Sequence, residues 1–175
     1  DWNWFKGPIE RQVQAATGRD FHIDGDLDVK LGFFRPTVIA NGIVLGNSDW
    51  AERTTMLQVE HAEIEWAIWH VWRGDVVLPR VQLDGAELWL ERDGKGRANW
   101  VFNEDEPREE PLHMPRIHQL RVADSRFHLR EVQRKTQLSV DVASGEPEAA
   151  DGFAPLLLSG GGRYRDSDFQ LQGRI

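Results

Sequence analysis

Among its 175 residues the chain has no cysteine. That excludes a disulfide-stapled scaffold and any thiolate metal centre, while leaving the compartment open, because cysteine-free proteins occur in oxidising and reducing environments alike. A long apolar run is missing too: no stretch approaches the ~20 residues that cross a bilayer as a helix. Positive charge is in short supply. Lys and Arg number 21 against 29 Asp and Glu, giving a formal net charge of -8 and a pI near 5.2. Such a balance argues against the clustered basic face of a nucleic-acid groove, so no nucleic-acid partner is expected.

Sites of chemistry are equally scarce. The six His are scattered, without a His-Glu-x-x-His or other zinc spacing. Asp24, Asp26 and Asp28 alternate around Gly25, but an EF-hand frame fails because Arg35 occupies the place of the closing Glu. These acids read instead as a solvated strand face that discourages edge pairing. Gly160-Gly161-Gly162 is followed by no helix carrying Lys-Ser or Lys-Thr, so it marks a bend or close backbone approach and not a phosphate loop. Ser125 and Ser167 belong to repeated turns, where small polar side chains serve the local backbone. Neither an enzyme, a metal nor a cofactor is expected.

What the chain does have is repetition. Val122-Ala-Asp-Ser-Arg-Phe127-His-Leu129 recurs as Tyr164-Arg-Asp-Ser-Asp-Phe169-Gln-Leu171 and, more weakly, as Leu83-Asp-Gly-Ala-Glu-Leu88-Trp-Leu90, at a spacing of about forty residues, as in an array of one supersecondary unit. Each copy runs from an apolar residue through a small polar turn into a second alternating segment. Period two places Phe127 and Leu129 on one face and Arg126, His128 and Arg130 on the other. The expectation is a chain of antiparallel hairpins, apolar on one side and charged on the other. Because the chain starts at Asp1-Trp2 and stops just after the third copy, it is expected to be a piece of a longer array.

Pro8 to Thr17 reads as one short amphipathic helix stopped by Gly18. Strands are expected over Asp20–Leu31, Pro36–Leu45 with a bulge or kink at Asn41-Gly42, and Leu57–Ile68. In the last of these the apolar phase slips, which predicts a bulge near Glu60 or His61. Trp66, Trp69 and Trp72 recur every three residues up to Arg73-Gly74, as in a helical turn. Val76–Leu83 and Ala86–Arg92 are expected to form a hairpin. Further strands lie near Ile117–Ala123, Arg126–Glu131, Gln137–Val142, Pro155–Arg165 and Asp168–Arg174, and polar loops near Glu104–His113 and Gly145–Gly152. The fold class is mainly β: an antiparallel meander curved into an apolar groove, with one short N-terminal helix and a Trp-rich helical turn. So little helix cannot cover some ten strands of ~23 Å each. Either the sheet closes on itself as an ordinary core or it stays a trough whose lining a ligand covers.

Several separated phrases bear on that choice: Asp1-Trp2-Asn3, Thr17-Gly18-Arg19, Ile23-Asp24-Gly25-Asp26-Leu27, Gly46-Asn47-Ser48 with Trp50, Arg73-Gly74, and Leu90-Glu91-Arg92-Asp93 with Gly96 and Ala98-Asn99-Trp100. In order and spacing the first hundred residues resemble the AsmA family of envelope proteins from Gram-negative bacteria. Beyond Trp100 the likeness is one of repeat style. The resemblance implies an inner-membrane anchor preceding Asp1, a periplasmic location, and a long apolar β-groove that moves phospholipids toward the outer membrane. It divides the chain into an N-terminal part (1–103), an acidic Pro-rich loop (104–116) and continuing groove repeats (117–175) of one extended domain.

On that reading the apolar face is a lipid track. Its lining would comprise Ile23, Leu27 and Val29 in the first strand, Leu83, Leu88 and Leu90, then Val122, Phe127 and Leu129, and finally Leu138, Val140 and Leu171. Trp2, Trp4, Phe5 and Lys6 suit a membrane interface as well as packing of the first helix. The Trp66, Trp69, Trp72 stripe suits a lid closing the sheet as well as a lipid-entry patch. The expected partners are phospholipid and the inner membrane. The competing reading is an interaction scaffold that assists outer-membrane protein assembly through its sheet edges. Ten lanes of ~4.8 Å span about 48 Å, too little to bridge two membranes.

Overall fold

The computed structural model describes residues 1–68, 76–102, 115–147 and 154–175. A 3-10 turn, Asn3–Phe5, runs into α1, Lys6–Thr17. Pro8 lies in the first turn, where its missing N–H breaks no intrahelical bond. Gly18 ends the helix in the left-handed conformation, its N–H donating to the Gln14 carbonyl at 2.8 Å.

The strands are β1 (Phe21–Ile23), β2 (Leu27–Lys30), β3 (Thr37–Gly46), β4 (Thr55–Glu65), β5 (Val77–Arg92), β6 (Arg116–Ala123), β7 (Ser125–Glu131), β8 (Thr136–Ser144), β9 (Leu156–Tyr164) and β10 (Ser167–Arg174). Among the described residues they form one open, curved sheet in the order β1-β3-β4-β5-β7-β8-β9-β10, with β2 beside the other half of β3 and β6 beside the other half of β5. The fold class is therefore the expected one, with local differences. The hairpin expected between Val76 and Arg92 is a single 16-residue strand. Both β6 and β7 run parallel to it, so the chain recrosses the sheet between β5 and β6 where a meander would turn back. The strand expected over Asp20–Leu31 is broken at Asp24-Gly25-Asp26. Residues 69–75, 103–114 and 148–153 lie outside the described set, and with them most of the Trp-rich turn and of the two polar loops.

The phase slip in β4 is present, but it is not a bulge. Val59 faces Ile43 and Ala86 while His61 faces Asn41 and Asp84, so the register runs on unbroken through Glu60. The register shift instead falls between Leu45 and Gly46. At the level of Glu60 the neighbouring lanes all carry a special backbone position: Gly42 (φ 66°), Gly85 (φ 62°) and Asp124 (φ 46°), with the β1/β2 break at Gly25 next to Gly42. A left-handed residue inside a strand turns the following side chains to the other side. Because these neighbouring lanes turn at one level, the pairing survives and the apolar residues stay on one face. Val59, Ala62 and Ala86 accordingly share a buried cluster with Ile43, Leu57 and Leu83. The sheet is creased across its strands.

A second device shapes β9. A Cβ built on Gly160 or Gly162 would fall on the carbonyl oxygens of Ser139 and Gln137 in β8, and one on Gly161 would lie 2.6 Å from the Phe169 oxygen in β10. The β9 backbone is thus rolled so that its apolar-side hydrogens point at β8 and its polar-side hydrogen at β10. The strands pack so closely at this lane that only glycine fits there. Two more clusters complete the core: Ile23, Leu27 and Ala40 beneath Trp2 and Ile9, and Val122, Val140 and Val142 with Leu120, Leu138, Leu156 and Leu158.

Candidate functional site

Directly paired residues in neighbouring strands share a face, so the apolar surface can be followed lane by lane. One rank runs through Phe21, Leu45, Leu57, Leu88, Phe127, Val140, Gly160 and Leu171, each the partner of the next, from the first lane to the last. A parallel rank toward one end joins Leu90, Leu129, Leu138, Gly162 and Phe169. Beyond the crease, Leu27, Ala40, Ala62, Leu83 and Val122 form a third, and Val29, Val38, Ile64, Val81 and Leu120 a fourth. The twelve residues assigned to a lipid track from sequence all fall on this face.

They are not equivalent. Ile23 and Leu27 are sealed beneath Trp2 and Ile9, so they serve as the core under α1. Val122 and Val140 are buried in the sheet. Phe127 and Leu171, by contrast, remain 40% and 38% exposed. On the β9 lane between Val140 and Leu171, Gly160 presents bare backbone. The ranks also contain Leu57, Ile64, Val81, Leu120 and Phe169, which pattern reading did not assign to the track. The face switch at the crease hid the first four, since an alternation that changes phase mid-strand looks interrupted. The role of Phe169 was legible in the repeat, where it aligns with Phe127.

The opposite face is polar and internally paired. Glu87, Arg126, Asp141, Ser159 and Gln172 form one rank, and Trp89, His128, Ser139, Gly161 and Gln170 the next. Trp89 stacks on His128 at 5.6 Å, and the Arg53 guanidinium lies over the Trp89 ring at 4.0 Å. His128 bonds Glu87 and Ser139, each at 2.8 Å. Arg130 joins Glu52 at 2.9 Å and Glu91 at 3.0 Å. The hydrogen bond from Arg126 holds the Asp141 carboxyl below its ordinary range. Two open depressions of about 770 and 450 Å³ lie over these polar ranks. Their charges are largely matched across lanes, and among the described residues no three His, Asp or Glu are placed to hold a metal ion.

At the N-terminus, Trp2 packs into the core cluster, whereas Trp4 is 69% exposed and stacks on Trp2 at 5.9 Å, with Phe5 edge-on to it at 5.1 Å. Lys6 opens α1. Both readings of this segment therefore find residues: one ring half-buried, two outside. Trp66 is partly exposed, while Trp69 and Trp72 lie outside the described residues. No helix among the described residues is long and apolar enough to cross a membrane.

Several phrases quoted from the sequence meet away from the track, in one buried polar knot. Asn99, wholly buried, accepts the Glu91 N–H at 3.0 Å and donates to the Trp89 carbonyl at 2.7 Å and to Asn47 Oδ1 at 3.1 Å. The Arg19 guanidinium donates to the Asn99 carbonyl at 2.9 Å. Thr17-Gly18-Arg19, Gly46-Asn47-Ser48 and Ala98-Asn99-Trp100 are thus three sides of a single clasp joining the C-terminal end of α1 to β3 and β5.

No curated protein and no solved structure matches the chain. A family model described as AsmA family matches residues 1–138, from the N-terminal turn through the crease and into β8. With the match covering more than half of its length, the chain belongs to the AsmA family.

Proposed function

We propose that this chain is the groove of a phospholipid-carrying protein, lying in the periplasm, tethered to the inner membrane and passing lipid between inner and outer membranes. It works as a passive conduit, without catalysis or cofactor. The observation that carries this reading is the apolar rank that crosses every lane of the open, curved sheet formed by the described residues, with Phe127 and Leu171 part-exposed along it. Each methylene shielded from water is worth about 0.8 kcal/mol, so an acyl chain leaves a bilayer only onto a continuous apolar surface. The glycine lane of β9 offers a side-chain-free furrow between Leu138 and Val140 on one side and Phe169 and Leu171 on the other. Binding along such a track is distributed, which is why the site has no convergent polar groups.

The test is site-specific photo-cross-linking in cells on the membrane-tethered protein, with the probe at Phe127 or Leu129 and, as controls, at Gln137 or Gln170 on the polar face. Lipid adducts confined to the first pair are expected. A second reading has its own observation: among the described residues β10 pairs only with β9, and an outer-membrane assembly partner could add a strand beside it. Protein adducts from the polar face and the β10 edge, with no lipid from Phe127 or Leu129, would replace the conduit by that scaffold.

A further inference from the structure

The loop between β2 and β3 exposes what a folded chain ordinarily hides. Leu31 is 77% and Phe33 97% exposed, with Phe34 edge-on to Phe33 at 5.8 Å. The tip is built to protrude: the Gly32 N–H closes back onto the Lys30 carbonyl at 3.1 Å, and a Cβ at Gly32 would meet the Arg35 oxygen at 2.7 Å. Cations flank it. Lys30 precedes the tip, and Arg35 follows, sharing the single carboxylate of Glu65 with Arg80 at 3.5 and 4.0 Å. This end therefore carries surplus positive charge in a chain whose net charge is -8. The Trp66 N–H bonds the Pro36 carbonyl at 3.0 Å, which brings another part-exposed ring to the same end. Trp4 and Phe5 are tied to the same strand as the loop, because the Trp2 N–H bonds the Leu27 carbonyl and Asn3 Oδ1 accepts the Leu27 N–H.

We infer that this end of the sheet docks into the interfacial zone of an anionic phospholipid bilayer, with Leu31 and Phe33 wedged among the acyl chains and Lys30 and Arg35 against the phosphates. Bulky apolar rings beside cationic tips are the chemistry of that zone. A protein partner would need on the order of 1,000 Å² of complementary surface, which a narrow convex tip does not offer, whereas a wedge needs only hydrocarbon. For its purpose the inference rests on the lipid-carrying reading, since a groove must meet the bilayer it loads from. It adds which end makes that contact.

The experiment is flotation of the 175-residue chain with vesicles of phosphatidylethanolamine and phosphatidylglycerol, and with phosphatidylcholine alone. The chain should float with the anionic vesicles, and Phe33→Ser should lower the bound fraction roughly tenfold. Lys30→Gln with Arg35→Gln should weaken binding to the anionic vesicles only. Since Phe33 touches so little protein, the urea midpoint of Phe33→Ser should match the parent, and Val132→Ser, at an exposed apolar residue outside both the tip and the track, should float unchanged. Three results would overturn the docking: a parent chain that ignores both vesicles, a Phe33→Ser chain that floats equally well, or a lipid-free dimer in light scattering that Phe33→Ser dissolves. Flotation that depends on Phe33 while Phe127 yields no lipid adducts would uphold the docking and remove the groove reading. Adducts without flotation would do the reverse.

Discussion

Asn99 shows how a few side chains hold this molecule in shape. Its amide satisfies one main-chain donor and one main-chain acceptor of β5, and its second donor reaches Asn47. Exposure is nil, so removing the amide strands the Glu91 N–H in a dry site. Leaving such a group unsatisfied costs about 1–3 kcal/mol. Asn99→Ala should therefore lower the stability of the chain by that amount in urea unfolding, while leaving lipid adducts at Phe127 intact. A variant with unchanged stability would mean that water replaces the amide. Arg19, Asn47 and Asn99 stand far apart in the sequence, and as residue types nothing about them announces a buried knot. Their phrases carried a family likeness because they bind the fold together, not because they touch a substrate.

At the scale of elements, one repeated phrase gives two structures. In Leu83–Leu90 and Val122–Leu129 the small polar turn is a crease within a continuing lane, at Gly85 and Asp124; in Tyr164–Leu171 it is a true hairpin, with Arg165 left-handed at φ 54°. Periodicity reads the apolar and polar positions correctly in all three. It cannot tell a kink from a reversal, because both need a left-handed residue flanked by alternating segments. The pairing partner decides: β4 lies beside the first copy and β5 beside the second, each along both halves of the copy, whereas among the described residues β9 and β10 have only each other beyond β8. The crease makes a prediction. Gly85 sits at φ 62° with Glu60 crowding its Cα, so Gly85→Ala should cost about 1–2 kcal/mol. Asp124 already bears the left-handed strain with a side chain, and Asp124→Gly should cost less than about 0.5 kcal/mol or stabilise. Urea melts giving equal losses for the two would show that backbone strain does not govern the crease.

Taken whole, the described part of the molecule is an open, curved sheet with one apolar and one polar face, shaped by backbone devices. The two broken strands each fill a single lane, so the sheet spans eight lanes, about 38 Å at ~4.8 Å each, less than a count of ten strands suggests. A charge placed on the track should test the whole surface without dismantling it. On the proposed function the chain should copurify with phospholipid, measured by mass spectrometry, and Phe127→Asp, at a part-exposed position, should change stability by about 1 kcal/mol or less and yet lose that lipid. Gln170→Asp on the polar face should leave that lipid in place. Equal lipid content in the two variants would argue against a continuous track.

By itself the sequence determined the fold class, the N-terminal helix, twelve of the residues that share the apolar face, and the family, because alternation, turn chemistry and short spaced phrases are local properties of the chain. The tertiary structure alone decided that β6 and β7 lie parallel to β5, that the phase slip in β4 is a crease shared by neighbouring lanes and not a bulge, that Ile23 and Leu27 lie under α1 while Phe127 and Leu171 remain accessible, and that Phe33 stands at the tip of a bare loop. These depend on which distant strand becomes a neighbour and on how tightly backbones approach, and a pattern with period two is the same for any partner it is given.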